Sequence, residues 1–244
     1  MNIVIHKDKF EDWDYFVCLP ASYLHGDKRY PVVYVQDGDR LLPVLEELFD
    51  SVNDTMEENG REYIIAGVIP RNRLDDYTPW PAPAFTAGVP AFGGLGEQYL
   101  DFLANDFKPY IDDVYRTLPD SVNTYILGVS LGGLISLYAI YKQACFGRAV
   151  SISGSLWYPG FIDFMRNHAP CSADSHALLL SGRMEGACGP PVLRQSVQCA
   201  QQAQHILEQQ LFNRDIPLIW DDGGHMDNLQ LRLKRALQWI GQVN

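Results

Sequence analysis

The chain has 244 residues, with 19 Lys and Arg against 30 Asp and Glu and a formal net charge of −11. That balance excludes the clustered cationic surface on which nucleic-acid and anionic-membrane binding depend, and no apolar run reaches the ~18 residues needed to span a bilayer. Hydrophobic residues make up 47% and charged residues 20%, which excludes general disorder and suits a single α/β domain over residues 1–244.

Met1–Phe10 has no basic segment followed by an apolar core, so no signal peptide is expected. Cys18, Cys145, Cys171, Cys188 and Cys199 are odd in number and lack a Cys-x-x-Cys pair. They read as reduced thiols rather than a disulfide framework or zinc site, and a cytoplasmic location is expected, with a secreted form that has lost its leader as the alternative.

Taken in order, Tyr15–Leu19 predicts an early antiparallel strand closed by Pro20. Tyr30–Gln36 and Tyr63–Ile69 are near-continuous β-branched runs, as in strands buried on both faces. Between them, residues 41–59 carry helical spacing in Leu42, Leu45, Leu48 and Phe49. The Pro- and Gly-rich interval 71–95 predicts a lid or binding loop. A helix over 96–115 precedes a strand at 125–127 and a helix from Leu134. Strands at 149–153 and 177–181, a helix over 192–212, a strand at 216–220 and a helix over 229–240 complete the chain. This alternation predicts a mostly parallel sheet with right-handed crossovers and helices on both faces. No interval between strands is long enough for a separate cap domain.

Gly128-Val-Ser130-Leu-Gly132 fits a nucleophile elbow. A strand turning directly into a helix strains the central Ser and crowds the positions two residues either side, where glycine fits. Ser130 is therefore the candidate nucleophile, its Oγ placed at a helix N-terminus that favours developing negative charge. Downstream, His225 follows the last strand on a Gly-rich turn, the chain order that a Ser–acid–His set requires. A neutral imidazole there can take the Ser proton and return it to the leaving group.

For the acid, Glu185 follows the strand ending at Ser181 and lies between Ser130 and His225 in the chain. Asp221 and Asp222 are at the same sheet end, but their closeness to His225 also fits a turn cap, and an exposed Glu185 could pair with Arg183. Leu131 N–H and Asp39 N–H are the candidate oxyanion donors, although Asp37-Gly38 is also an ordinary turn signal. Tyr77, Trp80, Phe85, Trp157 and Tyr158 could form an aromatic wall or merely cover the sheet edge. Arg71, Arg73 and Arg183 could meet substrate oxygens.

Tyr30–Gly38, Arg73–Trp80, Phe102–Tyr115, the elbow, Ser153–Trp157 and Gly224-His225 together resemble the esterase D-like family of α/β-hydrolases, in particular its enterochelin-esterase-like branch. The resemblance runs from about Tyr15 to Trp239. It implies an α/β-hydrolase fold, Ser130 as nucleophile, His225 as base, Glu185 as acid and Asp39 N–H at the oxyanion. The function expected is carboxylic-ester hydrolysis through an acyl-enzyme, without metal or organic cofactor, on a small-molecule ester such as a siderophore-type lactone. Arg73, Tyr77, Trp80 and Trp157 are the expected substrate contacts, and the chain is expected to act as a monomer or homodimer. Thioester hydrolysis, acyl transfer and non-catalytic binding are the alternatives.

Overall fold

Eight strands form one sheet in a computed structural model that describes residues 4–59, 61–86 and 88–242, with the side chains of 49–59, Phe49 among them, outside that description. The strands are β1 (Val4–Phe10), β2 (Trp13–Leu19), β3 (Val32–Val35), β4 (Ile64–Val68), β5 (Thr124–Val129), β6 (Arg148–Ile152), β7 (His176–Gly182) and β8 (Leu218–Asp221), in the spatial order β1-β2-β4-β3-β5-β6-β7-β8. β1 and β2 pair antiparallel, as do β2 and β4, and every pairing from β4 through β8 is parallel.

The helices are α1 (Gly38–Asn59), α2 (Arg73–Asp76), α3 (Gly96–Phe102), α4 (Lys108–Val114), α5 (Leu131–Lys142), α6 (Phe161–Asn167), α7 (Ser196–Gln210) and α8 (Leu229–Gln242). A π-helical stretch, Leu103–Phe107, joins α3 to α4, so the helix expected over 96–115 is present with its register shifted midway.

Successive strand residues point to opposite faces, and this divides the core in two. Tyr15, Val17, Tyr34, Ile64 and Ile126 face a layer that includes Leu100, Phe107, Leu134, Met165 and Leu207. Phe16, Cys18, Val33, Val35 and Leu127 face Leu41, Leu42 and Leu45 of α1 and Leu233, Leu237 and Ile240 of α8. Helices therefore cover both faces, and among the described residues no interval between strands folds as a separate cap.

Three elements carry no periodic signal in the sequence, the four-residue α2 inside the 71–95 loop among them. β1 lies at the sheet edge with four of its seven residues exposed, Lys7, Asp8 and Lys9 among them. Charge on an edge strand discourages pairing with other chains and removes the apolar alternation by which a strand is recognised. α6 has only seven residues, too few for a helical period to stand out.

Candidate active site

Ser130 links β5 to α5 with φ at 61°, a backbone region that residues with a side chain seldom adopt. The neighbouring glycines make the turn possible. A Cβ on Gly128 would lie 2.3 Å from the Gly132 carbonyl carbon, and one on Gly132 would lie 3.1 Å from Gln36 Cβ. The turn places Ser130 at the start of α5, where the first N–H groups, Leu131 included, have no acceptor within the helix.

His225 Nε2 lies 3.0 Å from Ser130 Oγ, and His225 Nδ1 lies 3.1 Å from Glu185 Oε2. The three side chains come from beyond the carboxyl ends of β5, β7 and β8, where parallel sheets gather chemistry. Glu185 is buried and also accepts from Gly182 N–H at 2.8 Å and Ser181 Oγ at 3.1 Å. Burial pushes its carboxyl upward, but the hydrogen bonds from His225 and Gly182 outweigh it and hold Glu185 below the usual carboxylate range. An ionised Glu185 accepting from Nδ1–H leaves Nε2 free to accept the Ser130 proton.

The other two carboxylates are engaged elsewhere. Asp221 faces Arg232, whose hydrogen bonds pull its pKa far down, and Asp222 is exposed, 3.7 Å from Arg183.

Arg73 has a different place from the one expected. Its Nε lies 2.7 Å and its Nη2 2.9 Å from the two oxygens of the buried Asp37, and Nη2 reaches the Val129 carbonyl at 3.2 Å. Arg73 borders the cavity beside Ser130, but its planar fork is closed on Asp37 rather than offered to substrate. Asp37 itself has φ at 55° and donates its N–H to Tyr77 Oη at 2.8 Å. Asp39 follows in the first turn of α1, where N–H groups have no intrahelical acceptor, while its side chain borders a different cavity with Lys7 and Lys9.

Two expected aromatic contacts are corrected. Tyr77 is fully buried, its hydroxyl bonded to Asp37 N–H and to Tyr99, so it supports the turn after β3 and cannot touch a ligand. Trp80 donates its indole N–H to the Pro159 carbonyl at 2.9 Å and packs on Tyr138, Tyr158 and Phe164, away from the residues lining the Ser130 cavity.

Trp157 does line that cavity, which measures about 290 Å³ and is walled by Leu74, Phe85, Phe92 and Leu193, with Ser155 and Ser196 as polar neighbours. Ser155 Oγ lies 3.3 Å from Ser130 Oγ. Arg71 stacks on Trp13 at 4.1 Å, outside this wall. Among the described residues, no cluster of three or more His, Cys, Asp or Glu could hold a metal ion.

Sequence reasoning passed over Arg232. It is almost fully buried and donates to Asp221, Ser153, Glu185 and the carbonyls of Gly224 and His225. A signal was present: Arg232 is spaced with Leu229, Leu233, Ala236 and Leu237 on the apolar stripe of α8, where an unpaired cation would be costly.

A family model described as "Putative esterase" matches residues 11–231. The Bacillus subtilis (strain 168) protein YbbA, described as uncharacterized, is 31% identical over 226 residues, spanning 91% of this chain and 90% of that one. Among solved structures, an IroE-like serine hydrolase from Shewanella oneidensis superposes with a TM-score of 0.72 at 17% identity, covering 99% of this chain and 79% of that one. The siderophore hydrolase EstA from Aspergillus nidulans gives a TM-score of 0.71 at 17% identity, covering all of this chain and 95% of the other. At such identities the two structures establish the α/β-hydrolase fold.

Proposed function

This chain belongs to the esterase family, and from that premise we propose that it is a serine hydrolase cleaving carboxylic esters through an acyl-enzyme. The observation that carries the reading is the continuous hydrogen-bonded line from Ser130 Oγ through His225 to Glu185, at 3.0 and 3.1 Å, set on a strained elbow. Ser130 Oγ attacks the ester carbonyl while its proton passes to His225 Nε2. Glu185 orients the ring and stabilises the imidazolium. Leu131 N–H and Asp39 N–H are the proposed donors to the oxyanion. Collapse expels the alcohol, protonated by His225, and a water activated by the same imidazole releases the acid.

The cavity bears on the substrate. Its wall is apolar and aromatic, while Arg73 is closed on Asp37, Arg71 lies on Trp13 and Arg183 stands exposed beside Asp222. A siderophore trilactone would draw on free cations to meet its catecholate oxygens. Arg40 stands exposed on the other side of Ser130, beside Asp37, whereas the pocket walled by Phe85, Phe92 and Trp157 holds only the engaged Arg73, and this favours an ester with a compact, uncharged apolar or aromatic group there.

Ser130→Ala tests the reaction class, since it should lower kcat on the order of 10⁴- to 10⁶-fold with an unchanged circular dichroism spectrum. A folded variant that keeps more than about 5% of the parent rate would remove Ser130 from the mechanism. A panel of esters tests the substrate: neutral aromatic and medium-chain apolar esters should exceed anionic esters and catecholate lactones in kcat/KM. The reverse order would restore the siderophore-type reading.

A further inference from the structure

We propose that Arg232, balanced by Asp221, is a positioning residue that holds Glu185 and the His225 turn in register and tunes the pull of the pair on the Ser130 proton. The inference rests on the serine-hydrolase reading above.

Arg232 has five N–H donors, and its partners come from several separate stretches of chain. Nε lies 2.6 Å from Asp221 Oδ2, and Nη2 lies 2.9 Å from Asp221 Oδ1 and 2.8 Å from the Gly224 carbonyl. Nη1 lies 2.5 Å from Ser153 Oγ, 2.9 Å from the His225 carbonyl and 3.2 Å from Glu185 Oε1. A buried guanidinium needs a counter-charge, which Asp221 meets in a two-pronged pair, with Glu185 a second partner through a single contact. The remaining donors therefore do more than satisfy the charge. They fasten the carbonyls of Gly224 and His225, one on each side of the His225 Cα, to the oxygen of Glu185 that does not face the imidazole.

The approach is close enough to restrict the backbone. A Cβ on Gly182, the residue that ends β7 and donates to Glu185, would lie 2.5 Å from Arg232 Nη2 and 2.1 Å from the Gly223 carbonyl oxygen. Glycine is the one residue that leaves room for the guanidinium there.

The charges add in a definite way. Asp221, Arg232 and Glu185 together carry one net negative charge, left for the imidazolium that forms at His225. Neutralising Asp221 leaves the group without net charge and weakens that imidazolium. Neutralising Arg232 leaves two negative charges and strengthens it. The other charged groups around His225 are the Arg73–Asp37 pair and Arg40 across the cavity, and Asp227, which accepts from Gly224 N–H at 2.7 Å. The variants below leave all of these in place.

The test measures kcat and kcat/KM against pH for Arg232→Lys, Arg232→Gln and Asp221→Asn on a neutral ester, with fluorophosphonate labelling of the parent protein in parallel. Arg232→Lys keeps the charge but loses the fork, so kcat should fall roughly 10- to 100-fold with KM within about twofold. Asp221→Asn should move the acidic limb of kcat/KM to lower pH by about half a unit, and Arg232→Gln should move it to higher pH. A merely structural arginine would lower the yield and thermal stability of folded protein without displacing that limb in opposite directions.

If the parent labels at Ser130 while Arg232→Lys keeps its kcat, or while the limb stays fixed or moves the same way in both charge variants, the proposal is overturned. Should Arg232→Gln fail to fold, the kcat of Arg232→Lys and the limb of Asp221→Asn decide the matter. A parent protein that neither labels nor hydrolyses esters would instead overturn the serine-hydrolase reading, and this inference with it.

Discussion

Arg73 donates to both oxygens of Asp37 and to the Val129 carbonyl, so one guanidinium ties the turn after β3 to the residue preceding Ser130. Those are the two segments that carry Asp39 N–H and Leu131 N–H. Removing the guanidinium leaves a buried carboxylate unpaired and loosens both segments. Arg73→Ala should therefore lower kcat roughly tenfold or more on a neutral p-nitrophenyl ester and on an anionic ester alike. A rise in KM confined to the anionic ester would return Arg73 to the role of substrate contact. Glu185 meets the ring of His225, and in the proposed mechanism it acts through that ring. Glu185→Gln should cost on the order of 10²- to 10⁴-fold in kcat with little change in KM, because a neutral amide no longer stabilises the imidazolium. A similar loss in Asp222→Asn, whose carboxylate is exposed, would show that the wrong acid has been chosen.

At the level of elements, the elbow depends on space as much as on its serine. The 2.3 Å between a Gly128 Cβ and the Gly132 carbonyl carbon sets an atom fixed by its own backbone against another backbone, and no rotamer change relieves it. Gly128→Ala should cost on the order of 1–3 kcal/mol in a denaturant melt and displace Ser130 enough to abolish fluorophosphonate labelling. An alanine variant that melts and labels like the parent would show that the turn has slack. The elbow was legible in the sequence because glycine, serine and glycine sit between an apolar strand and an apolar helix, all within about 15 residues. Glu185 and His225 were legible from their places just after strands. That Tyr77 and Trp80 lie off the cavity, and that Arg73 borders it with its fork closed, was not legible, because their partners, Asp37 and Pro159, are distant in sequence, and local spacing carries no information about which polar group meets which. Arg232 was missed for the same reason, its acceptors being gathered from just beyond β6 and β7, from β8 and from the turn after β8.

Across the whole molecule, depressed carboxylates link folding to pH: Asp221, Glu185 and Glu62 are held low, while burial raises Asp76 and acts the other way. Asp221 and Glu185 both sit below their ordinary values of 3.8 and 4.5. The stability they contribute is fully present above those ordinary values and is lost as pH falls through the lower folded values. Thermal melts should hold steady from neutral pH to about 5 and then decline, and Asp221→Asn should decline less steeply from a lower plateau. A parent and variant with parallel acid declines would contradict that linkage. The sheet order, the elbow and the Ser130–His225–Glu185 line all converge on Ser130 Oγ, the proposed nucleophile, which a fluorophosphonate probe addresses directly. Intact-mass measurement with peptide mapping should find a single adduct per chain, on Ser130, absent from Ser130→Ala and strongly slowed in a His225→Ala variant. A folded protein that takes up no probe, or takes it up on another residue, would contradict the account.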